Sequence, residues 1–192
     1  MYSLENLPNC NFCTELSLTR TQVVVGDGFT DGPKIVFVGE APGANEDIQG
    51  KPFVGRSGQI LRKTLEALGF SEKDYYITNV VKCRPPENRD PKFEEAKNCF
   101  PYLQMQLEKF NPRIICSLGA HATKYLISNG DFENVNKKTI SENRGNIVDI
   151  KLGGKSYKLM PCYHPAATIY NQKLRDTFVG DLKKLKEIAY PI

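Results

Sequence analysis

K-I-V-F-V-G-E-A-P-G-A-N-E-D-I-Q-G-K-P-F-V-G-R-S-G, residues Lys34 to Gly58, is the stretch from which the fold can be read. Ile35 to Val38 form a short unbroken apolar run rich in β-branched residues, bounded by Pro33 and Gly39. Such a run reads as a strand covered on both faces, the kind found in parallel sheets. It stops abruptly at Gly39, and Gly39, Pro42 and Gly43 leave a backbone with few side chains in the way. At the carboxyl edge of a sheet, that openness lets main-chain N–H groups approach a small polar ligand. Taken alone, G-E-A-P-G reads equally well as a plain strand-ending turn. The residues that follow tip the balance, because Glu46, Asp47, Gln49, Lys51 and Arg56 surround one isolated aromatic, Phe53, flanked by Pro52 and Gly55. A loop of this length between a strand and a helix is uncommon unless it has a job.

Downstream, Ile60, Leu61, Thr64, Leu65 and Leu68 recur at helical spacing, and Gly69 stands where that helix ends. Tyr75 to Val81 is a second strand, rich in β-formers, which K-C-R-P-P at 82–86 cannot continue. A helix is expected from Pro91 to Phe110, with Asp90 as its N-cap and a kink or division at Pro101. Arg113 to Leu118 is the third strand, followed by a helix from Gly119-Ala120 to Ile127 that Asn129-Gly130 stops. Asp131 to Gly145 reads as polar and irregular. Ile147 to Leu152, Gly153-Gly154 and Lys155 to Met160 form a hairpin, or a hairpin arm leading into the last core strand. A basic amphipathic helix over about Lys173 to Ile188 closes the chain. Strands alternating with helices give an α/β fold, a single three-layer domain over 1–192 with a mainly parallel sheet.

A length of 192 residues suits one well-buried core and is short for two. Apolar residues at 40% and charged ones at 25% are ordinary for a soluble globular protein, and no run approaches a membrane span, so no membrane partner is expected. Met1 to Asn11 has neither the basic start nor the apolar centre of an export signal, which points to the cytoplasm. The net charge of +4 is unevenly placed: residues 137–192 hold 11 Lys/Arg against 5 Asp/Glu, and the first 136 hold 15 against 17. A basic C-terminal third is compatible with a polyanionic partner, although Lys-rich helices are commonly just solvated faces.

In a cytosolic chain, the spacings of the 6 cysteines argue for metal rather than for disulfides. Cys116 lies in an apolar run and Cys162 follows another, so both read as small core hydrophobes. Cys10-x2-Cys13 and Cys83-x15-Cys99 remain, enough for one four-thiolate site that would pin the N-terminal segment onto the domain. Spacing leaves zinc and an iron–sulfur cluster both open.

Ligands of such sheets bind beyond the carboxyl ends of the strands. Three of those ends carry chemistry here: Gly39-Glu40-Ala41-Pro42, Asn79 and His164-Pro165. The ordered set G-E-A-P-G-x-x-E-D at 39–47, Q-G-K-P-F-V-G-R-S-G at 49–58, T-N-V-V-K-C-R-P-P at 78–86 and H-P-A-A at 164–167, with the four spaced cysteines, resembles the family 4 uracil-DNA glycosylases. These are iron–sulfur enzymes typical of archaea and thermophilic bacteria, and the resemblance runs from Cys10 to the last helix.

The resemblance implies an enzyme of base excision repair that flips uracil out of DNA and hydrolyses its N-glycosidic bond, leaving an abasic site. The implied partner is uracil-containing DNA, single- or double-stranded, with replication or repair proteins as further candidates, and the implied state is a monomer at the nucleoid. A [4Fe–4S] cluster is implied on Cys10, Cys13, Cys83 and Cys99, with a structural role because hydrolysis needs no electron. Gly39, Glu40, Ala41, Pro42, Phe53, Asn79 and His164 would form the uracil pocket. In it Phe53 stacks on the base, and the Asn79 amide matches uracil O4 and N3–H, a pair that cytosine reverses. His164 would donate to O2, where charge collects as the bond breaks. Other uracil-DNA glycosylase families carry an Asp where this chain has Ala41, which leaves Glu40 and Glu46 as candidates to position the water. Tyr170 would brace the opened stack while Lys173 and Arg175 reach phosphates. His121, at the start of a helix, reads as structural. The rival reading is a catalytically silent nucleic-acid-binding or electron-transfer module on the same fold.

Overall fold

Ile35 to Val38, with Gly39, do form a strand, and in the computed structural model, which describes residues 2–128 and 140–191, it lies near the centre of a six-stranded sheet. The strands are β1 (Asp27–Gly28), β2 (Ile35–Gly39), β3 (Tyr75–Asn79), β4 (Ile114–Leu118), β5 (Val148–Leu152) and β6 (Lys155–Cys162), in the spatial order β1-β3-β2-β4-β6-β5. β3, β2, β4 and β6 are mutually parallel, whereas β1 and β5 pair antiparallel at the two edges. Every residue of β2, β3 and β4 is buried, as unbroken apolar runs require, while β5 alternates along its outer half. Gly153 (φ 58°) and Gly154 (φ 82°) make the two-residue turn of the β5–β6 hairpin, whose backbone needs positive φ at both positions.

Successive strand residues point to opposite faces, and helices cover both. On one face Ile35 and Phe37 pack with Leu61 and Leu65 of α3 (Arg56–Ala67) and with Phe178, Leu182 and Leu185 of α7 (Gln172–Ala189). On the other, Val36 and Val38 pack with Phe100 and Leu103 of α4 (Phe93–Phe110) and Leu126 of α5 (Ala120–Ile127). Leu7 and Leu16, the latter on α1 (Thr14–Thr19), are fully buried in this second core and anchor the N-terminal segment. Among the described residues no helix is long and apolar enough to cross a membrane.

The structure revises several expectations. The long loop after β2 contains a helix, α2 (Ala44–Gln49), closed by Gly50 at φ 71°. Its sequence, A-N-E-D-I-Q, is too short and polar to show apolar periodicity. Asp27–Gly28 adds an edge strand too short to leave a pattern. α4 begins at Phe93 and not at Pro91, and its N-cap is Lys92, not Asp90. The Glu95 carboxylate accepts the Lys92 N–H at 2.7 Å, which frees Asp90 for a different contact. Pro101 neither divides nor ends α4, because the flanking Phe100, Tyr102 and Leu103 are buried against the sheet. That burial outweighs the roughly 3 kcal/mol cost of an interior proline. Asn129-Gly130 and 131–139 lie outside the described residues, and a short helix, α6 (Ile140–Asn143), stands in the remainder of the stretch read as irregular. Gly69 does end α3: its N–H reaches Glu66 O at 2.8 Å and that of Phe70 reaches Leu65 O at 3.0 Å, a Schellman closure with Gly69 at φ 71°.

Candidate active site

β2 and β3 pair with Gly39 opposite Asn79, so the last residues of two adjacent parallel strands sit side by side. The pairing runs on beyond the strands, with Val80 N–H donating to Gly39 O and Val81 N–H to Glu40 O, both at 2.9 Å. Over this edge lies a cavity of about 250 Å³ that Glu40, Ala41, Pro42, Phe53, Asn79 and His164 help to line. It is smaller than the roughly 300–1,000 Å³ of pockets for drug-sized ligands, and it suits one small polar ring. Glu46 also lines it. Gly39 forms the floor, and no larger residue fits: a Cβ there would fall 2.4 Å from Asn79 Oδ1 and 2.6 Å from Phe53 Cζ.

Asn79 is buried, and its Oδ1 has no hydrogen-bond partner. An unmet buried acceptor costs about 1–3 kcal/mol, an expense that a ligand donor would remove. Beneath it is Lys82, fully buried, whose Nζ donates to Asn79 O at 2.6 Å, Thr78 Oγ1 at 2.6 Å and Gln106 Oε1 at 2.7 Å. Burial pushes the Lys82 pKa down to about 7, against the pull of Cys99 and Cys83. These bonds fix the backbone on which the Asn79 amide is mounted.

Phe53 is buried at φ 53°, a conformation that costs about 1–3 kcal/mol in a non-glycine residue and persists only where neighbours impose it. Here they do: Arg62 Nε donates to Phe53 O and Arg62 Nη2 to Pro52 O, both at 3.0 Å. A Cβ on Gly58 would overlap the Phe53 carbonyl carbon at 2.0 Å. Glu46 clamps the same turn, its Oε1 accepting from Val54 N at 2.9 Å and Gly55 N at 2.7 Å. The ring meets the core under α3 on one side and the cavity on the other, so it serves both.

His164 faces it, ring centroids 5.8 Å apart at 35°. Its Nδ1 accepts the Ala166 N–H at 3.2 Å. Burial lowers its pKa, opposed by the charge of Glu46, so the ring is neutral near pH 7 with its proton on Nε2. Gly119 (φ 93°) permits this placement, since a Cβ there would lie 3.0 Å from His164 Cβ.

The segment after β3 supplies a wall that the sequence did not reveal: Pro85, Asn88, Arg89, Asp90 and Pro91 all line the cavity. Glu87 and Asn88 both hold φ 55°. Arg89 secures the segment through Glu95 (2.9 and 2.7 Å) and Glu15 of α1 (3.3 Å). His121, read from the sequence as structural, has its Nδ1 3.3 Å from Glu40 Oε1 and its Nε2 3.9 Å from Asp90 Oδ2. The approach to Glu40 has ion-pair distance without hydrogen-bond alignment, and Glu40 Oε1 is otherwise without a partner. A tertiary contact of this kind leaves no local signal.

Tyr170 is 87% exposed, so it does not pack on the last helix. Arg56 Nη1 donates to its hydroxyl at 3.0 Å. Lys173 and Arg175 are exposed in the first turn of α7.

Cys10 and Cys13, partly buried, border the same apolar cluster that holds Cys83 and Cys99. Arg20 Nη1 donates to Cys83 Sγ at 3.0 Å while its Nη2 donates to Cys10 O, and the Lys82 N–H reaches Cys99 Sγ at 3.3 Å. Burial, eased by a hydrogen bond from Asn98 and reinforced by charge on Cys83 and Cys10, pushes the Cys13 thiol up to about 11. Burial, eased by Lys82 and reinforced by charge on Cys83 and Cys13, pushes Cys99 up to about 12. Cys116 and Cys162 are fully buried in the core of the opposite face, their sulfurs 3.5 Å apart.

Residues 26–186 match the family model described as the uracil DNA glycosylase superfamily. The chain is 42% identical over 186 residues to a type-4 uracil-DNA glycosylase of Archaeoglobus fulgidus, covering 97% of this chain and 91% of that one. It is 44% identical over 187 residues to one from Sulfurisphaera tokodaii (96% and 82% covered). It is 44% identical over 184 residues to one from Thermotoga maritima (95% and 90% covered). A glycine floor, an unpartnered Asn amide and a neutral His at the ends of parallel strands thus occur in a chain that belongs to the uracil DNA glycosylase superfamily, within its type-4 branch.

Proposed function

We propose that this chain, acting as one domain, excises uracil from DNA by hydrolysing the bond between N1 and C1′ of the deoxyribose. The observation that carries the reading is Asn79 Oδ1, buried and unpartnered, in a cavity of about 250 Å³ between Phe53 and His164. Uracil N3–H supplies the donor that Oδ1 lacks, the Asn79 NH₂ group donates to O4, and Phe53 stacks on the ring. As the bond breaks, its electron pair passes to the base and collects at O2. A neutral His164 with its proton on Nε2 donates there without first losing a proton. Glu40 is favoured over Glu46 as the group that orients the water, because Glu46 Oε1 is already committed to the turn at Val54 and Gly55.

Tyr170, Lys173 and Arg175, exposed beside the cavity-lining His164 segment, are suited to brace the gap left by the extruded nucleotide and to bind flanking phosphates. The purified protein, incubated with a uracil-containing oligonucleotide and then alkali, is expected to yield strand scission at the uracil and none at cytosine. No scission at uracil on single-stranded, G·U or A·U substrates would reject the function in favour of a silent binding module.

The four cysteines suit a [4Fe–4S] cluster: Cys83 and Cys99 lie in one apolar cluster that Cys10 and Cys13 border, with N–H donors on Cys83 and Cys99. When bound, the cluster supplies a cross-link between the N-terminal segment, the end of β3 and α4, with no electron entering the hydrolysis. Cys83→Ala is expected to lose a brown absorbance near about 400 nm and most of the soluble yield, whereas Cys116→Ala keeps the colour. A colourless protein with one zinc per chain would overturn the assignment.

A further inference from the structure

We propose that His121, bracketed by Asp90, is a positioning residue for Glu40, holding its carboxylate charged and turned toward the attacking water. The inference rests on the uracil-hydrolysis reading above. To accept a proton from water and to face the cationic sugar, Glu40 must be ionised. Its surroundings oppose this: burial raises its pKa, His121 lowers it and Asp90 raises it again. His121 reaches in from the first turn of α5, its Nδ1 3.3 Å from Glu40 Oε1.

The other titratable groups around Glu40 cannot replace it. Tyr125, one turn further along α5, has its pKa raised by burial and then by the charge of Glu40, and it carries no positive charge. Glu46 lies across the cavity and carries the same sign. Arg89 lines the cavity too, but its guanidinium is engaged by Glu95 and Glu15. Asp90 Oδ2 stands 3.9 Å from Nε2, so the imidazole lies between two carboxylates. In the hydrolytic step the water oxygen bonds to C1′, its proton passes to Glu40, and the electron pair of the broken bond has already left with the base. His121 touches no reacting atom and takes no proton from the water.

The side chain of His121 is about half exposed, so replacing it should not compromise folding, and equal melting temperatures would verify this. Single-turnover cleavage by His121→Gln, measured against pH, is the test. Loss of the imidazole that lowers the Glu40 pKa should let that pKa rise, so the acid limb of the profile should move up by about one pH unit. Cleavage would then fall about tenfold on the acid side, with the deficit shrinking as pH rises. His121→Lys should move the limb back toward its original place. In a Glu40→Gln background, His121→Gln should have no further effect. Superimposable profiles, a uniform loss at every pH, or full additivity of the two changes would each overturn the proposal. A parent protein that cleaves no uracil would instead defeat the reading on which it rests.

Discussion

His164→Ala is expected to slow uracil release by about 10²–10³-fold under single-turnover conditions while leaving affinity for abasic product DNA close to that of the parent chain. The effect is large because the donor acts only where charge develops. In the ground state O2 is a weakly basic carbonyl oxygen, and as the bond breaks it carries a share of a full negative charge. His164 is prepared for that moment. Its Nδ1 is occupied by the Ala166 N–H, burial keeps it neutral, and the Gly119 backbone approaches its Cβ too closely for any side chain to intervene. Product DNA holds no anionic base, so its binding should not register the change. A variant that cleaves at the parental rate would remove His164 from the mechanism.

Asn79 should show the largest change in selectivity. Cytosine in this cavity would set its N4 donors against the Asn79 NH₂ group and its N3 acceptor against Oδ1, leaving two buried pairs unmatched. At about 1–3 kcal/mol for each such pair, discrimination against cytosine from this amide amounts to about 30-fold up to about 10⁴-fold. Asn79→Asp should erode it from the cytosine side, since a protonated carboxyl offers cytosine a donor for N3 and an acceptor for N4. The measurement is the ratio of single-turnover rates on uracil and cytosine in one sequence context. If Asn79→Ala cleaves uracil at the parental rate and still ignores cytosine, the amide does not read the base.

What the sequence disclosed followed the range of the forces involved. The buried strands, α3 with its glycine closure and the amphipathic α7 were legible because burial repeats with the period of the element itself. The cavity residues Glu40, Phe53, Asn79 and His164 were legible because glycine and proline mark strand ends and because the motifs resemble a known family. α2 escaped because a six-residue polar helix shows no periodicity. His121 escaped because its partners, Glu40 and Asp90, come from elsewhere in the chain. Asp90 was assigned to the α4 cap by a local rule, whereas Glu95 satisfies that end from within the helix. Lys82 stood in a quoted motif, yet nothing in K-C-R-P-P indicates that its ammonium turns back under Asn79 to meet three acceptors.

The pairing of Gly39 with Asn79 bears on which changes of length a lineage can tolerate. Side chains alternate faces along a strand, so deleting or inserting a single residue within β3 would carry the Asn79 amide to the opposite face of the sheet and put a neighbouring side chain over Gly39. Length variation should therefore be absorbed in exposed connections such as Ser71 to Lys73 or the Gly153-Gly154 turn, and be absent between Tyr75 and Asn79. Retargeting the cavity to a different base is accordingly a matter of exchanging side chains at fixed spacing, and libraries that vary loop length at this edge would mostly yield inactive clones.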